Sequence, residues 1–263
     1  MSRVHPTAIV DARAEIDGDV EIGPYCVIGA GVRIGKGSRV YSHAVITGRT
    51  TLGEGNVVFP FASIGNMPQD LKYKGEPSEL LIGNRNTIRE YVSLNPGTTA
   101  GGMVTRVGDQ NLLMMQCHIA HDCLLGDRNV VANGATLGGH VMIEDFVIVG
   151  GLVGIHQFVR IGTGAILGAG SMVSKDVPPY CNATGDRAKL HGLNLEGLKR
   201  RGFDKTVIAL LRKAYRIVFQ SALRTEDALK KNPRRIASDS RNRKICFLHC
   251  TVRARGLPLS QRF

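Results

Sequence analysis

The sequence predicts an all-β left-handed parallel β-helix followed by a small basic α-helical domain. Three observations predict it: an aliphatic residue at every sixth position, Gly at recurrent turn positions, and an abrupt change of charge near residue 186. The aliphatic ladder runs Val4, Val10, Ile16, Ile22, Ile28, Ile34, Val40, Ile46, Leu52, Val58 and Ile64. It resumes at Ile82, Ile88 and Leu94. It then continues through Val107, Leu113, Ile119, Leu125, Val131, Leu137, Ile143, Val149, Ile155, Ile161, Leu167 and Val173. A helix would show period 3.6 and a half-buried strand period 2, and neither fits. Three hexads make one triangular coil, and stacked coils bury the inward aliphatics. The ladder amounts to between eight and nine coils, a prism roughly 40 Å long.

Gly often follows the aliphatic, as at Gly23, Gly35, Gly53, Gly83 and Gly108. The fifth hexad position is small or Asn, as at Cys26, Ser38, Asn56, Asn86 and Asn129. Gly or Asn is expected to take the unusual backbone angles of each turn. Two polar interruptions, residues 65–81 and 95–106, read as loops ejected from the prism, where function often sits. Beyond Val173 the register ends at DVPPY. Asp204 is a candidate N-cap, and Val207, Ile208, Leu211, Tyr215, Val218 and Phe219 form one apolar helical face. A second helix is expected at TEDALKK from Thr225, and a last one near Leu248.

Composition bounds the function. The 263 residues contain 32 Gly and no Trp, so the core is aliphatic. Six scattered Cys form no CxxC pair, which disfavours a zinc knuckle or a disulfide framework. With no leader and no apolar run approaching ~20 residues, a cytoplasmic protein without stable membrane insertion is expected. Residues 1–186 carry 14 Lys and Arg against 17 Asp and Glu, whereas 187–263 carry 20 against 5. Such a basic segment attracts an acidic partner, although a solvated helical face would carry the same charge.

The histidines give the chemical lead. His118 and His121 lie in CHIAHDC (117–123). His140 follows 19 residues after His121, and His156 another 16 later. With a coil of 18 residues, they fall on nearby edges of successive coils. Acyl transfer to a hydroxyl needs a base that is neutral near pH 7 and backbone donors for an oxyanion. His121 beside Asp122 supplies the first, and the Gly138–Gly139 pair the second. No GxSxG elbow or acyl-enzyme nucleophile is evident, so direct attack by the substrate hydroxyl is the simpler scheme. A His₃ zinc site is the rival. His118 and His121, three apart in an extended coil, would face differently.

The motifs HIAHDC (118–123), QDLKYKGEP (69–77), IHQF (155–158), DVPPY (176–180) and NLEGLKRRGF (194–203) resemble the bacterial UDP-N-acetylglucosamine O-acyltransferase family over about residues 4–230. The resemblance implies a homotrimer that moves an (R)-3-hydroxyacyl chain from acyl carrier protein to the 3-hydroxyl of UDP-N-acetylglucosamine, the first step of lipid A synthesis. It implies no cofactor and no nucleic-acid partner. His121 matches the general base, Asp122 the acid that orients it, and Gly139 the oxyanion donor. His118, His140, His156 and Gln157 match residues around the sugar and thioester. Asp70 and Lys72 match substrate contacts, and Asn194, Glu196, Arg200 and Arg201 the nucleotide segment. Arg forks suit a diphosphate. A late-coil pocket near Leu167 and Ala169 would set acyl length. The basic segment would receive the acidic carrier.

The chain departs from the pattern at LNPGT (94–98), where relatives carry His-Arg before Gly-Thr, and no role is assigned there. It departs again after Pro233, until RARGLP. Two alternatives remain open at this point: a non-catalytic nucleotide-binding scaffold, and the related N-acyltransferase of the same pathway. The latter carries a domain ahead of its β-helix, and hexads starting at Val4 argue against it. The expected division is 1–186 β-helix and 187–263 helical domain.

Overall fold

The computed structural model describes residues 3–220. Short strands, mostly of two residues, stack into three parallel sheets of 11, 9 and 8 strands, visited in turn by the chain. Each strand pairs with the one a coil later: Val27–Ile28 lies on Val45–Ile46, a separation of 18 residues. Where loops leave the prism the separation grows but the register survives. Ser63 pairs with Ser93, and Ser93 with His118. The inward aliphatics from Ile22 to Val173 are buried and form one continuous core.

The ejected loops are shorter than the sequence suggests. Residues 79–82 form a strand on Arg49–Leu52, and Val104–Val107 a strand on residues 79–82. The loops proper are therefore 65–78 and 95–103. The end of the prism also runs past residue 186. Cys181–Thr184 joins the first sheet, and Lys189–Leu193 adds to it antiparallel. Helix α1 (Leu195–Arg200) follows, its N-terminal Gly197 N–H capped by the Asn194 side chain at 2.8 Å. Helix α2 (Lys205–Phe219) buries Ile208, Leu211, Ala214 and Tyr215. Asp204 occupies its N-cap position without a side-chain cap bond. The helices expected near Thr225 and Leu248 lie outside the described residues.

Turn chemistry corrects the sequence reading. The left-handed residue of each turn is the fourth of its hexad. It is most often bulky: Tyr25, His43, Phe61, Arg85, Asp122, Arg128, His140 and Phe158 all have φ between 54° and 66°. The Gly at the second position serves a different need. At Gly23, a Cβ would lie 3.0 Å from the Ser42 backbone nitrogen of the next coil. Close stacking, not a positive φ, selects Gly there.

The fifth position distinguishes the three corners. Leaving the third sheet, it is Asn in four successive coils: Asn56, Asn86, Asn111 and Asn129 are buried. Asn86 Oδ1 accepts the Asn111 N–H at 2.8 Å, and Asn111 Oδ1 accepts the Asn129 N–H at 2.8 Å. Leaving the first sheet, it is small or apolar, as at Cys26, Ala44, Ala62 and Ala135. The corner between the second and third sheets carries the histidines.

Candidate active site

At that corner the stacking register puts chosen positions on top of one another. Asp122, His140 and Phe158 are the left-handed residues of three successive turns, so they form one column. His121 and Gly139 form the neighbouring column. The His140 N–H donates to the His121 carbonyl (3.0 Å), and the Phe158 N–H to the Gly139 carbonyl (3.1 Å). The His140 ring lies flat on Phe158, centroids 4.4 Å apart, and edge-on to His121 at 5.2 Å.

His121 Nδ1 is 2.8 Å from Asp122 Oδ2. A carboxylate only accepts, so Nδ1 carries the hydrogen, and in the neutral ring the lone pair lies on Nε2. The Asp122 side chain is fully buried. It is held by donors from the second ejected loop: the Thr98 N–H to Oδ1 (2.8 Å) and the Thr98 hydroxyl to Oδ2 (2.6 Å). His140 Nε2 stands 3.8 Å from the same Oδ2, beyond hydrogen-bond range.

Gly139 is needed by His121. A Cβ there would lie 2.5 Å from His121 Cε1, so the imidazole occupies the space that any other residue would fill. Among the described residues no acceptor takes the Gly139 N–H. That donor is open to a substrate oxygen beside the base.

Burial lowers the pKa of His118, with His121 adding to the effect. Burial also lowers that of His140, against opposing pulls from Asp122 and, more weakly, Asp70. Both rings are therefore neutral near pH 7. His118 Nδ1 is 2.7 Å from Ser93 Oγ. The His156 Nδ1–H donates to the Gln157 carbonyl at 3.0 Å. His156, Gln157, Gly139 and Met172 border a trough of about 510 Å³. Cys123, inside HIAHDC, is no nucleophile: its thiol donates to the Gly138 carbonyl, and burial pushes its pKa to about 12.

The structure thus gathers His118, His121, Asp122, Gly139, His140, His156 and Gln157 at one corner, with Asp70 close enough to His140 to influence its charge. Lys72 lies beside Asp70, its N–H donating to Asp70 Oδ1 at 3.0 Å. The nucleotide segment is elsewhere. Asn194 is buried, and its amide donates to the Gly164 carbonyl at 3.0 Å. Arg201 lies over the Phe146 ring at 4.2 Å, and Arg200 pairs with Glu196 on the surface. Among the described residues none of these four is joined to the histidine cluster. Of the two residues near which an acyl pocket was expected, Leu167 is 1% exposed, as its place on the inward ladder requires, and Ala169 is exposed. Met172, above Gly154, walls the trough. Sequence reasoning assigned Thr98 no role, because LNPGT departs from the relatives just ahead of its Gly-Thr; the buried carboxylate that Thr98 meets is visible only in the fold.

His121, Asp122 and His140 present ligand atoms within 4.8 Å of one another, a set able to hold a divalent ion. Asp122 already accepts three donors, from Thr98 and His121, so the arrangement fits proton transfer better than coordination.

Comparison with known proteins agrees with this geometry. A family model described as UDP N-acetylglucosamine O-acyltransferase, domain 2, matches residues 176–257. One described as bacterial transferase hexapeptide (six repeats) matches 1–36 and 105–139. The acyl-[acyl-carrier-protein]--UDP-N-acetylglucosamine O-acyltransferase of Thermodesulfovibrio yellowstonii is 52% identical over 231 residues, 88% of this chain and 90% of that one. Its namesake from Syntrophobacter fumaroxidans is 53% identical over 230 residues, 87% and 89% of the two chains. The solved LpxA structure of Acinetobacter baumannii superposes with a TM-score of 0.90 at 46% identity, covering 94% of this chain and 96% of that one. Fold, site and relatives together place the chain in the UDP-N-acetylglucosamine O-acyltransferase family of hexapeptide-repeat transferases.

Proposed function

We propose that this chain transfers an (R)-3-hydroxyacyl group from acyl carrier protein to the 3-hydroxyl of UDP-N-acetylglucosamine, opening lipid A synthesis, with His121 as general base. One observation carries the assignment of the base: an imidazole fixed by a buried carboxylate, its ring against Gly139. His121 Nε2 takes the proton of the sugar hydroxyl as that oxygen attacks the thioester carbonyl carbon. The Gly139 N–H receives the developing oxyanion. Collapse breaks the C–S bond, and His121 returns the proton to the departing carrier thiolate. Asp122 holds the Nδ1–H tautomer throughout and stabilises the transient imidazolium.

His118, His140, His156 and Gln157 surround the sugar and the thioester, and Asp70 and Lys72 approach from the first loop. Asn194, Glu196, Arg200 and Arg201 form the nucleotide segment. This segment packs against Gly164 and Phe146, at a different corner of the prism from His121, which suits a site completed across a homotrimer, where a neighbouring prism supplies it. The donor arrives already activated as a thioester, so the reaction calls for no cofactor. The reading places the enzyme in the cytoplasm. No helix among the described residues is long and apolar enough to cross a membrane.

The test is acyl transfer from (R)-3-hydroxyacyl carrier proteins of several lengths to UDP-N-acetylglucosamine. Wild type forms product, and His121→Ala loses ~10² or more in rate. A wild type inert with every donor sinks the function, whereas a fully active mutant sinks the base alone.

A further inference from the structure

We infer that Thr98, in the second ejected loop, is a positioning residue for the acyl-transfer step, acting on His121 through Asp122. This rests on the proposed role of His121 and extends it to a loop to which the sequence alone assigned no role.

Three features carry the inference. First, Thr98 is 2% exposed and reaches Asp122 twice, through its N–H to Oδ1 and its hydroxyl to Oδ2. Together with His121 Nδ1–H these are three donors on one buried carboxylate. Second, the loop is shaped to reach this carboxylate. Thr98 O accepts the Gly101 N–H at 3.1 Å and the Met103 N–H at 2.9 Å, folding the loop back on Thr98. A Cβ on Gly101 would strike the Asp122 carboxylate. Third, Asp122 takes the left-handed angle (φ 60°) common to the fourth hexad position, and here a threonine holds that turn. Its own N–H donates to Thr105 Oγ1 at 2.7 Å, so one threonine of the loop holds its side chain and one of the strand that follows holds its backbone.

The consequence is electrostatic as well as geometric. Each donor on Asp122 draws on the charge that would otherwise bear on the imidazole. With the Thr98 hydroxyl in place, Asp122 orients His121 without over-stabilising its protonated form. Without the hydroxyl, more of the charge falls on Nδ1–H, the imidazolium is favoured, and the base is protonated at higher pH. The carboxylate also loses one of two anchors from the loop, so the base wanders from the attacking hydroxyl.

Thr98→Val keeps the shape and removes the donor. In the full-length enzyme, kcat is expected to fall ~10-fold with the KM for UDP-N-acetylglucosamine little changed. The acid limb of the kcat/KM pH profile should move up by roughly half a pH unit. Thr98→Ser, which keeps the hydroxyl, should restore both. In an Asp122→Asn background the same Thr98→Val change should cost no more than ~2-fold, because the pathway is already cut. Should Thr98→Val fail to fold, Thr98→Ala gives the same readouts. An active enzyme whose Thr98→Val or Thr98→Ala form keeps the wild-type kcat and acid limb overturns the inference and leaves the function standing. A purely structural Thr98 would lower the active fraction without moving the limb, and that result overturns it too. An inert wild type would instead remove the underlying reading.

Discussion

Gly139 shows how tightly the base is specified at the level of single residues. Its missing Cβ is the space in which the His121 ring sits, and its N–H is free beside that ring. Gly139→Ala should therefore displace the imidazole rather than unfold the prism. We expect kcat to fall by ~10² with the unfolding midpoint nearly unchanged. Steady-state kinetics beside a denaturation curve separates the two, and an active Gly139→Ala enzyme would show that the ring has another place to go. The sequence located this pair well. His121 and Gly139 are one coil apart, so the period alone predicts that they stack. Thr98 escaped it because an ejected loop has no register, and where the loop lands is decided by tertiary contacts that no period encodes.

At the level of elements, each corner of the prism is a column with its own chemistry. The buried amides from Asn56 to Asn129 form a chain in which each side-chain oxygen accepts the next backbone N–H, ending at Val147. Asn111→Leu would strand the Asn129 N–H and remove the side-chain amide donor from Asn86 Oδ1, leaving that oxygen the backbone N–H of residue 111 alone. A loss of about 1–3 kcal/mol is expected for a buried donor left unpaired. Denaturant unfolding checks it, and an unchanged midpoint would mean that water substitutes for the amide. The hexad pattern announced these asparagines but not their use. Read as turn-formers, they are inward rungs, while Tyr25, Phe61 and Arg128 take the left-handed angle. The stack overrides local propensity because each turn is held by coils on both sides.

For the whole molecule, charge is divided along the chain: near balance through residue 186 and strongly basic after it. The acyl donor rides on a carrier protein, and an acidic carrier approaching a protein of net charge +12 is steered by a field that salt screens. Raising salt from about 50 to 500 mM should lower kcat/KM for the carrier-bound donor by ~10-fold. A small thioester bearing the same acyl chain should be indifferent. Equal salt sensitivity of the two donors would place the charge effect on the nucleotide instead.

The left-handed turns have one more consequence. A side chain at the fourth hexad position rests on its counterpart a coil away and has little part in the core. Tyr, His, Phe, Arg, Asp and Leu all occupy it with the same backbone. The prism therefore separates two kinds of information. Its inner faces accept almost nothing but aliphatics and keep the shape. At the fourth position of its corners many side chains share one backbone, and the acid that orients the base is one such letter, written at Asp122.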